Sequence, residues 1–493
     1  MFAGEMQVKN RLFTIKRCIF ENTAFFDSPA SDGKTTYGFG GAIYSEGANV
    51  TVSGGYIFSN SARTNSKGGG GAIYAQGGSV ALNGGYLFGN SAKGGYGGAV
   101  YMKDGTLTVS NSAVLAGNRS VKEGGIEGTG ALEAGGGAVA LFGSTRVTIS
   151  GGYITGNESE KTGGGLYCRE SSAVTMVSGY VTNNKAQNFG CEGAHINADG
   201  GGGIRLENES NLVLNGGYIT GNMAGSGAGI CVKGKSSNAM LTMNGGYICA
   251  NRNEVSCGIA GHQKEGAGIS IREVGAIVQI TSGYINNNSI AQSEDWGGGG
   301  IFCTEGAYLY IEKILATNNH ARGFGGGLAG CPTGHVFVLG GAAAVFDNRA
   351  DGTQLAGAGS TKHADKDALT DTTFMTSGYS DFFCALGGQV QKSMLGGGME
   401  NWKGSCDGRY VNAEDMSDDW ITAYFRMGLT ANPSDADKSA TYEAAAAGQA
   451  LYINGNESYT HGGAVMCDGF MFFGDWSDQE NITVGSTMDV TAK

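Results

Sequence analysis

Seven tyrosines recur along the chain at one position of a repeat and could together build a binding surface. Each follows a glycine and directly precedes an apolar residue: Tyr56, Tyr86, Tyr153, Tyr180, Tyr218, Tyr247 and Tyr284. Because side chains alternate along a strand, a tyrosine beside a buried apolar residue points outward. Aromatic rings stack on sugar rings, so the column is a candidate carbohydrate-binding stripe. The alternative is that the rings pack on one another and shield the glycine corners. We favour this alternative, since about 0.5–1.5 kcal/mol per stacked pair explains the column.

A second recurring position holds glutamates that could act in acid–base catalysis or bind a cation. Glycoside hydrolases need two carboxylates at a set separation, and calcium sites need clustered acids. The candidates are the glutamates Glu170, Glu207, Glu273 and Glu305, accompanied by the arginines Arg169, Arg205 and Arg272. Charges of alternating sign are typical of a solvated edge. The 6 histidines form no column, so we expect no catalytic residue.

Cysteine spacing gives no sign of a metal site. The chain has 11 cysteines but no CxxC or Cys/His pattern of the kind that binds zinc, so we predict neither a metal nor a cofactor. We interpret the cysteines as small buried thiols. A Cys191–Cys257 or a Cys384–Cys406 disulfide stays open.

All these residues belong to a repeating unit that begins with Gly-Gly-Ala-Ile, as in residues 70–73, and starts again at residues 97–100. Internal repetition of this kind decides the architecture. The first apolar residues of the ten units are Ile43, Ile73, Val100, Val139, Leu166, Ile204, Ile230, Ile269, Ile301 and Leu328. Val465 begins a detached further copy.

Each unit continues with two apolar columns separated by one residue, the period typical of a strand with one buried face. The first contains Val50, Val80, Leu107, Val147, Val174, Leu212, Leu241, Val278, Leu309 and Val336. The second contains Val52, Leu82, Val109, Ile149, Met176, Leu214, Met243, Ile280, Ile311 and Val338. A third strand carries Ile57, Leu87, Val114, Ile154, Val181, Ile219, Ile248, Ile285 and Ile314.

Three short strands per unit, with glycine at the corners, describe one coil of a solenoid. A single coil buries no apolar face, so stacked coils must share one continuous core. Neighbouring coils pair as parallel strands about 4.8 Å apart, which gives ten coils a length of about 48 Å. The sequence therefore predicts an all-β parallel β-helix with three strands per coil.

An asparagine closes most units, three residues after an apolar residue. The column contains Asn22, Asn60, Asn90, Asn118, Asn157, Asn184, Asn222, Asn251, Asn288, Asn348 and Asn456. In a stacked turn, one asparagine amide can donate to the carbonyl of the next, which satisfies polar groups that a tight turn leaves unpaired. We interpret the column as structural.

The Gly-Gly-Ala-Ile of residues 40–43 and 70–73, followed by an apolar-x-x-Asn such as residues 57–60, resembles a known pattern. It is similar to the GGA(I/L/V) and FxxN repeats of chlamydial polymorphic membrane proteins and of other right-handed β-helix surface proteins and adhesins. The resemblance covers about residues 12–350 and 448–490, with Ile, Leu or Val in place of Phe. It implies a right-handed β-helix of the pectate-lyase-like superfamily and the class of bacterial surface proteins, rather than that particular family.

The repeat divides the chain into four parts. Residues 1–37 form an opening partial coil and a loop, and residues 38–350 form the ten-coil β-helix. Residues 351–447 form an inserted irregular subdomain or an elaborated lateral loop, which contains two further binding candidates, Trp402 and Trp420. Residues 448–493 resume the β-helix with a truncated coil. Long insertions at 119–134, 185–200, 252–265 and 289–296 all project from one corner, which often marks a binding face.

Composition limits the partners. A net charge of −12 gives no basic stripe for nucleic acid or anionic membranes. The sequence contains no run of 18 apolar residues, so it predicts no membrane span. Residues 1–11 lack the apolar core of a signal peptide. Both ends fall inside a coil, so we expect a piece of a longer polypeptide whose signal and anchor lie elsewhere.

Two functions follow as hypotheses. The first is a non-catalytic segment of an extracellular adhesin or structural stalk on the bacterial cell surface. Its loops would bind a host or neighbouring-cell glycan or protein. The alternative is a carbohydrate-active enzyme, a polysaccharide lyase or glycoside hydrolase, because the pectate-lyase-like fold includes such enzymes. The Asn-Thr-Asp, Gly-Asp-Asp and Gly-His-Gly motifs of polygalacturonase-like enzymes are absent from the sequence.

Overall fold

Parallel strands dominate the chain, which folds as a stacked solenoid. The computed structural model describes residues 6–9, 12–15, 18–24, 38–64, 68–122, 134–187, 200–234, 237–254, 264–290, 295–321, 326–330, 333–339, 343–350, 382–384, 389–391, 402–406, 409–412, 420–422, 427–431, 434–436, 438–439, 443, 450–458, 463–467 and 470–473. Helical residues among these are 435–436, 438–439 and 443. Three long sheets, here called A, B and C, run along the stack, and the predicted parallel β-helix is confirmed.

Sheet A stacks the strands that open each repeat. Its register places Ile43 beside Ile73 and Ile73 beside Val100, so the first apolar column is continuous. The parallel strands, in stacking order, are Met6–Lys9, Ile43–Glu46, Ile73–Gln76, Val100–Lys103, Val139–Phe142, Leu166–Cys168, Ile204–Glu207, Ile230–Lys233, Ile269–Arg272, Ile301–Cys303, Leu328–Gly330 and Val465–Cys467.

Sheet B contains both the second and the third strand expected from the sequence. In several coils the two merge into one ten-residue strand, such as Asn49–Phe58, with an irregularity in pairing between Val52 and Tyr56. Its strands are Leu12–Ile15, Ile19–Phe20, Asn49–Phe58, Ser79–Phe88, Thr106–Val109, Val114–Ala116, Arg146–Thr155, Ala173–Thr182, Asn211–Leu214, Tyr218–Thr220, Ala239–Met243, Tyr247–Cys249, Ala276–Ile280, Gly283–Asn286, Tyr308–Ile311, Ile314–Thr317, His335–Val338, Ala343–Phe346, Leu451–Asn454 and Phe470–Phe473.

Sheet C completes each coil and was not expected from the sequence. Its strands follow the column asparagines and have only two or three residues, too few to show a period. Small residues such as Ala62 and Ala92 point into the core. In stacking order the strands are Thr23–Ala24, Ser61–Arg63, Ser91–Lys93, Arg119–Val121, Glu158–Ser159, Lys185–Ala186, Met223–Ala224, Arg252–Asn253, Ser289–Ile290, Glu457–Ser458, His320–Ala321 and Arg349–Ala350. The ranges predicted as insertions therefore begin with strands.

The core lies between the three sheets and contains the predicted apolar columns, with two corrections. Leu115, not Val114, pairs with Leu87 and Ile154. Leu115 is the sixth residue after Val109, whereas the buried residue of the neighbouring coils is the fifth after the corresponding position. A shift of one residue turns a strand's side chains to the opposite face. Ala316, not Ile314, aligns with Ile453, although Ile314 is also buried.

Stacking order departs from chain order near the end of the solenoid. The strand Tyr308–Ile311 lies directly on Ala276–Ile280. The next strand, Ile314–Thr317, does not lie directly on Gly283–Asn286. Leu451–Asn454 lies between these two strands and pairs with both, so the chain skips one level of the stack. In sheet C, Glu457–Ser458 lies between Ser289–Ile290 and His320–Ala321 in the same way. Residues 450–458 are thus a half-coil that fills a level skipped by the preceding chain, and we call them the inserted half-coil.

The described parts of residues 351–447 continue sheet A beyond Val465–Cys467. Phe382–Cys384 pairs in parallel with Val465–Cys467. Three antiparallel strands follow: Met427–Ala431, Trp402–Cys406 and Arg409–Asn412. Two small sheets pair Gln389–Gln391 with Trp420–Thr422 and Lys264–Glu265 with Asp295–Gly297.

Candidate functional site

The column asparagines form a hydrogen-bonded ladder at the corner between sheets B and C. Each Nδ2 donates to the Oδ1 of the next asparagine at 2.9–3.0 Å. The backbone N–H of the same residue donates to the same Oδ1, as for Asn90 to Asn118 at 3.0 Å. Nδ2 also donates to a backbone carbonyl in the coil before, as for Asn184 to Ile154 at 2.9 Å. Both amide donors are therefore satisfied in a position without access to water.

Membership of the ladder follows the stack rather than the chain. In order it contains Asn22, Asn60, Asn90, Asn118, Asn157, Asn184, Asn222, Asn251, Asn288, Asn456, Asn319 and Asn348. Asn319 was missed from the sequence because only an alanine, Ala316, stands three residues before it. Asn456, from the inserted half-coil, links Asn288 to Asn319.

The tyrosines form a partly exposed stack on the outer face of sheet B, here called the tyrosine stripe. Its continuous part runs through Tyr153, Tyr180, Tyr218, Tyr247, Tyr284 and Tyr452, with successive ring centroids 4.7–5.1 Å apart and planes within 13° of parallel. Tyr56 and Tyr86 form a separate stacked pair at 5.3 Å. Tyr452, from the inserted half-coil, was not assigned to this column from the sequence.

Stacking determines which part of each ring is available. An interior ring such as Tyr180 uses both faces on its neighbours at 4.8 and 5.1 Å. Its side chain is still 37% exposed, so ring edges and hydroxyl groups face solvent. A sugar therefore meets hydroxyls and ring edges along most of the stripe, and meets a free face only where the stack is interrupted.

Two coils interrupt the stripe with aliphatic residues. Val114 occupies the stripe position between Tyr86 and Tyr153, as their strand register shows. Leu315 occupies the position after Tyr452. The first interruption leaves a tyrosine on each side, whereas Leu315 has Ala344 on its other side.

The outer face of sheet A carries a second aromatic cluster, which is buried. Tyr74 stacks between Tyr44 and Tyr101 at 5.3 and 5.0 Å, and Tyr101 stacks on Phe142 at 5.1 Å. Burial raises the pKa of Tyr74 to about 12, with Tyr44 and Glu46 adding to the shift. These rings stay neutral at ordinary pH and stabilise the outer side of the sheet.

Further along the same face, charged residues replace the aromatic ones. Arg205 is fully buried, and its Nη2 lies 3.2 Å from Glu207. Tyr167 donates a short hydrogen bond to the same carboxylate. Burial alone would raise the pKa of Glu207, but the Arg205 cation and the Tyr167 hydrogen bond outweigh it, so the pKa is lowered. Glu207 is therefore an ionised partner of a buried cation rather than a proton donor.

A second ion-pair group lies around Arg272. Its Nη1 lies 2.9 Å from Glu265, and its Nη2 lies 2.9 Å from Glu305. Burial raises the pKa of Glu265, Arg272 opposes the shift and Glu305 adds to it. The prediction that these charges form a solvated edge is wrong for Arg205 and Arg272, which are 0% and 2% exposed. Alternating charge here marks buried arginines paired with glutamates, of which Glu265 is buried and Glu305 is exposed.

Three described cysteines, Cys168, Cys231 and Cys303, are buried free thiols, whereas Cys249 is half-buried and Cys18 is exposed, so the interpretation as buried thiols is wrong for Cys18. Burial raises the pKa of Cys303 to about 12, which keeps it an unreactive thiol. Among the described residues, no group of three or more His, Cys, Asp or Glu side chains is arranged to hold a metal ion. The described part of the chain also contains no helix with the length and apolar character needed to span a bilayer.

Several predicted features lie outside the described residues. They include most of the long insertions, the Cys191–Cys257 pair, and the side chains of Trp402, Trp420, Cys384 and Cys406. The backbones of the two tryptophans lie in Trp402–Cys406 and Trp420–Thr422. Comparison with known protein families, curated proteins and solved structures yields no match.

Proposed function

We propose that the chain is a rigid, non-catalytic segment of an extracellular adhesin or stalk on a bacterial surface. It holds the tyrosine stripe and its lateral loops toward a glycan or protein of a host or neighbouring cell. The resemblance of its repeats to those of β-helix surface proteins agrees with this role. The partner is recognised by contact along the rod and undergoes no covalent change.

The observation that carries the proposal is the stripe itself. Six rings stack in register on a sheet whose inner face is a continuous apolar core. Rings such as Tyr153 and Tyr180 remain 45% and 37% exposed, so a row of phenol groups repeats at the strand spacing. A rigid row of hydroxyls suits a polymeric partner, because each added coil adds a contact without further ordering cost.

The enzyme alternative finds less support in the same geometry. A hydrolase or lyase needs carboxylates that converge in an open groove. Glu207 pairs with Arg205, and Glu265 and Glu305 pair with Arg272. These three acids pair with buried cations in the outer layer of sheet A and are not directed together at a substrate. We therefore do not propose catalysis.

Binding of the immobilised chain to an array of glycans and to intact bacterial and host cells tests the proposal. A triple variant, Tyr180→Phe, Tyr218→Phe and Tyr247→Phe, keeps the stacked rings and removes three exposed hydroxyls. We expect it to lose most binding while its thermal midpoint stays the same. Tyr74→Phe, on the buried face of sheet A, is the matched control and should bind normally. Equal binding by the triple variant would reject the stripe as the contact surface, and release of cleaved oligosaccharides would favour the enzyme alternative.

A further inference from the structure

We propose that the interruption of the tyrosine stripe at Val114 is a binding slot for one uncharged, planar aromatic ring. The slot has Tyr86 and Tyr153 as walls and Val114 as floor. It differs from the rest of the stripe because it offers ring faces rather than ring edges. This inference is independent of the proposed adhesive function.

Strand register sets the width of the slot. Val114 pairs with Tyr86 on one side and with Tyr153 on the other. Two strand spacings, about 9.6 Å, therefore separate the two tyrosine positions. Occupied positions of the stripe have centroids 4.7–5.3 Å apart. A ring midway between the walls lies about 4.8 Å from each, within the range at which aromatic pairs attract.

Exposure shows that both walls have a free face. Among the rings that the structure describes, Tyr86 stacks only on Tyr56, and Tyr153 stacks only on Tyr180. They are 46% and 45% exposed, compared with 37% for Tyr180 and Tyr218, which have a neighbour on each side. Within the described residues, no ring stacks on the sides of Tyr86 and Tyr153 that face Val114.

The floor is small and neutral. Val114 is half-buried, and the next outward residue, Ala116, lies between Phe88 and Thr155 in the register. Residues 109–116 contain no charged side chain. The adjoining turn exposes the polar residues Asn111 and Ser112 at the rim. An uncharged ring therefore loses no ionic hydration on entry, and a polar substituent on it stays near polar groups.

The ring can come from two sources with the same chemistry. One is a free aromatic small molecule, and the other is an exposed aromatic side chain of a partner protein. Flat rings are the occupants the stripe already accepts, since each wall stacks on a phenol ring through its other face. Free indole and a short peptide with a single tryptophan are probes that separate the two sources.

Proton NMR of indole titrated with the full chain provides the test. A ring held between two aromatic faces shows upfield ring-current shifts and saturation transfer from the protein. Val114→Tyr completes the stack and should weaken indole binding about tenfold or more, because the new ring takes the place of indole between both walls. Val274→Tyr is the matched control: Val274 is 69% exposed and lies outside the stripe, so this variant should bind as the wild type does.

A second pair of variants covers a failure of Val114→Tyr to fold. Tyr86→Ala and Tyr153→Ala each remove one wall and should each reduce the ring-current shift. Binding of both indole and the peptide supports a side-chain source, and binding of indole alone supports a small molecule. The proposal is overturned if indole shows no shift at any soluble concentration or binds Val114→Tyr as well as the wild type. Binding of methyl glucopyranoside with no indole binding would also overturn it, in favour of a sugar site.

Discussion

At the scale of single residues, the asparagine ladder shows how one side chain can stabilise three coils. Asn184 accepts two hydrogen bonds from Asn157 and donates to Asn222 and to the Ile154 carbonyl. Each coil therefore depends on the asparagines above and below it. A buried amide without its partner costs the full desolvation of the group.

Replacing Asn184 by alanine should lower the free energy of unfolding by about 2–4 kcal/mol, because buried donors and acceptors lose their partners. Chemical denaturation measures the change. Asn183→Gly is the matched control: Asn183 is exposed at a φ of 54°, a conformation that glycine adopts readily. A cost below that of the control would show that the ladder contributes little.

Glu207 should make stability depend on pH in one direction. The pKa of Glu207 in the folded chain lies below the ordinary value of 4.5. Its contribution to the free energy of unfolding is therefore complete above pH 4.5 and is lost as the pH falls through the lowered pKa. Glu207→Gln should cost about 2 kcal/mol at neutral pH, because Arg205 loses its charged partner. The difference from the wild type should shrink below about pH 4.5.

Unfolding curves of the wild type and Glu207→Gln from pH 7 to acid, about pH 3, measure this difference. Glu209→Gln changes an exposed glutamate two residues away and serves as the control. A difference that stays constant or grows on acidification would contradict the assigned ion pair.

The burial of Arg205 and Arg272 could not be predicted from the sequence. Alternating charges normally indicate a solvated edge, and a period of two identifies an outward face without showing what covers it. Tyr74 and Tyr101, which precede Arg205 in the same outward column, gave no indication of their burial either. The signal that was present is the change in this column from tyrosine at residues 74, 101 and 167 to arginine at residue 205.

At the scale of elements, the tyrosine stripe combines a stabilising stack with an exposed edge. The outward direction and spacing of the tyrosines were predictable, because they depend only on strand alternation and repeat length. The interruption at Val114 was missed, because the spacing after Val109 assigns Val114 to the core, although Asn118 stands three residues after Leu115 and so marks Leu115 as the buried residue. One extra residue before Leu115 shifts the strand register by one position, which places Leu115 in the core and Val114 on the outer face. Local strand propensity does not indicate such a shift.

Removal of a ring from the stripe should lower the free energy of unfolding, and the decrease should grow with the number of rings stacked on the one removed. Tyr218 has two such neighbours, at 5.1 and 4.8 Å, whereas Tyr86 has one at 5.3 Å. We expect losses from stacking of about 1–3 kcal/mol for Tyr218→Ala and about 0.5–1.5 kcal/mol for Tyr86→Ala. Thermal or chemical unfolding measures both, with Tyr218→Phe as the variant that keeps the stack. Equal costs for the two alanine variants would show that stacking on the neighbouring rings contributes little.

The short strands of sheet C mark the limit of prediction from patterns. Two residues such as Lys185–Ala186 carry no measurable period, and their pairing depends on the coils above and below. The long apolar columns of sheets A and B were predictable because each repeats about ten times. Residue columns that recur in every unit can be aligned from the sequence alone, whereas segments that differ from coil to coil cannot.

At the scale of the whole molecule, the parallel strands described in sheet A, from Met6–Lys9 to Phe382–Cys384, span about 58 Å at the usual strand spacing. The inserted half-coil is the feature that the sequence could not locate. Residues 451–456 match the repeat at every position, so they fit equally well at any level of the stack. Their level is decided by the place that the preceding chain leaves open above Gly283–Asn286.

The rod depends on this insertion, because the ladder and the stripe both pass through it. Asn456 joins Asn288 to Asn319, and Tyr452 extends the stack from Tyr284. Removal of residues 450–458 would leave a gap inside the rod, not at its end. The order of the coils is therefore the central structural claim.

Disulfide formation between paired cysteine substitutions tests that order most directly. Ser289 pairs with Glu457, and Glu457 pairs with His320. Ser289→Cys with Glu457→Cys places the two Cα atoms about 4.8 Å apart, whereas Ser289→Cys with His320→Cys places them about 9.6 Å apart. Disulfides require Cα atoms within about 7 Å.

Mild oxidation followed by peptide mass spectrometry identifies the linked pair, with each single variant as the control for the native thiols. We predict a disulfide between positions 289 and 457 in the first double variant and none between positions 289 and 320 in the second. A link between positions 289 and 320, with none to position 457, would show that the coils stack in chain order and would contradict the account.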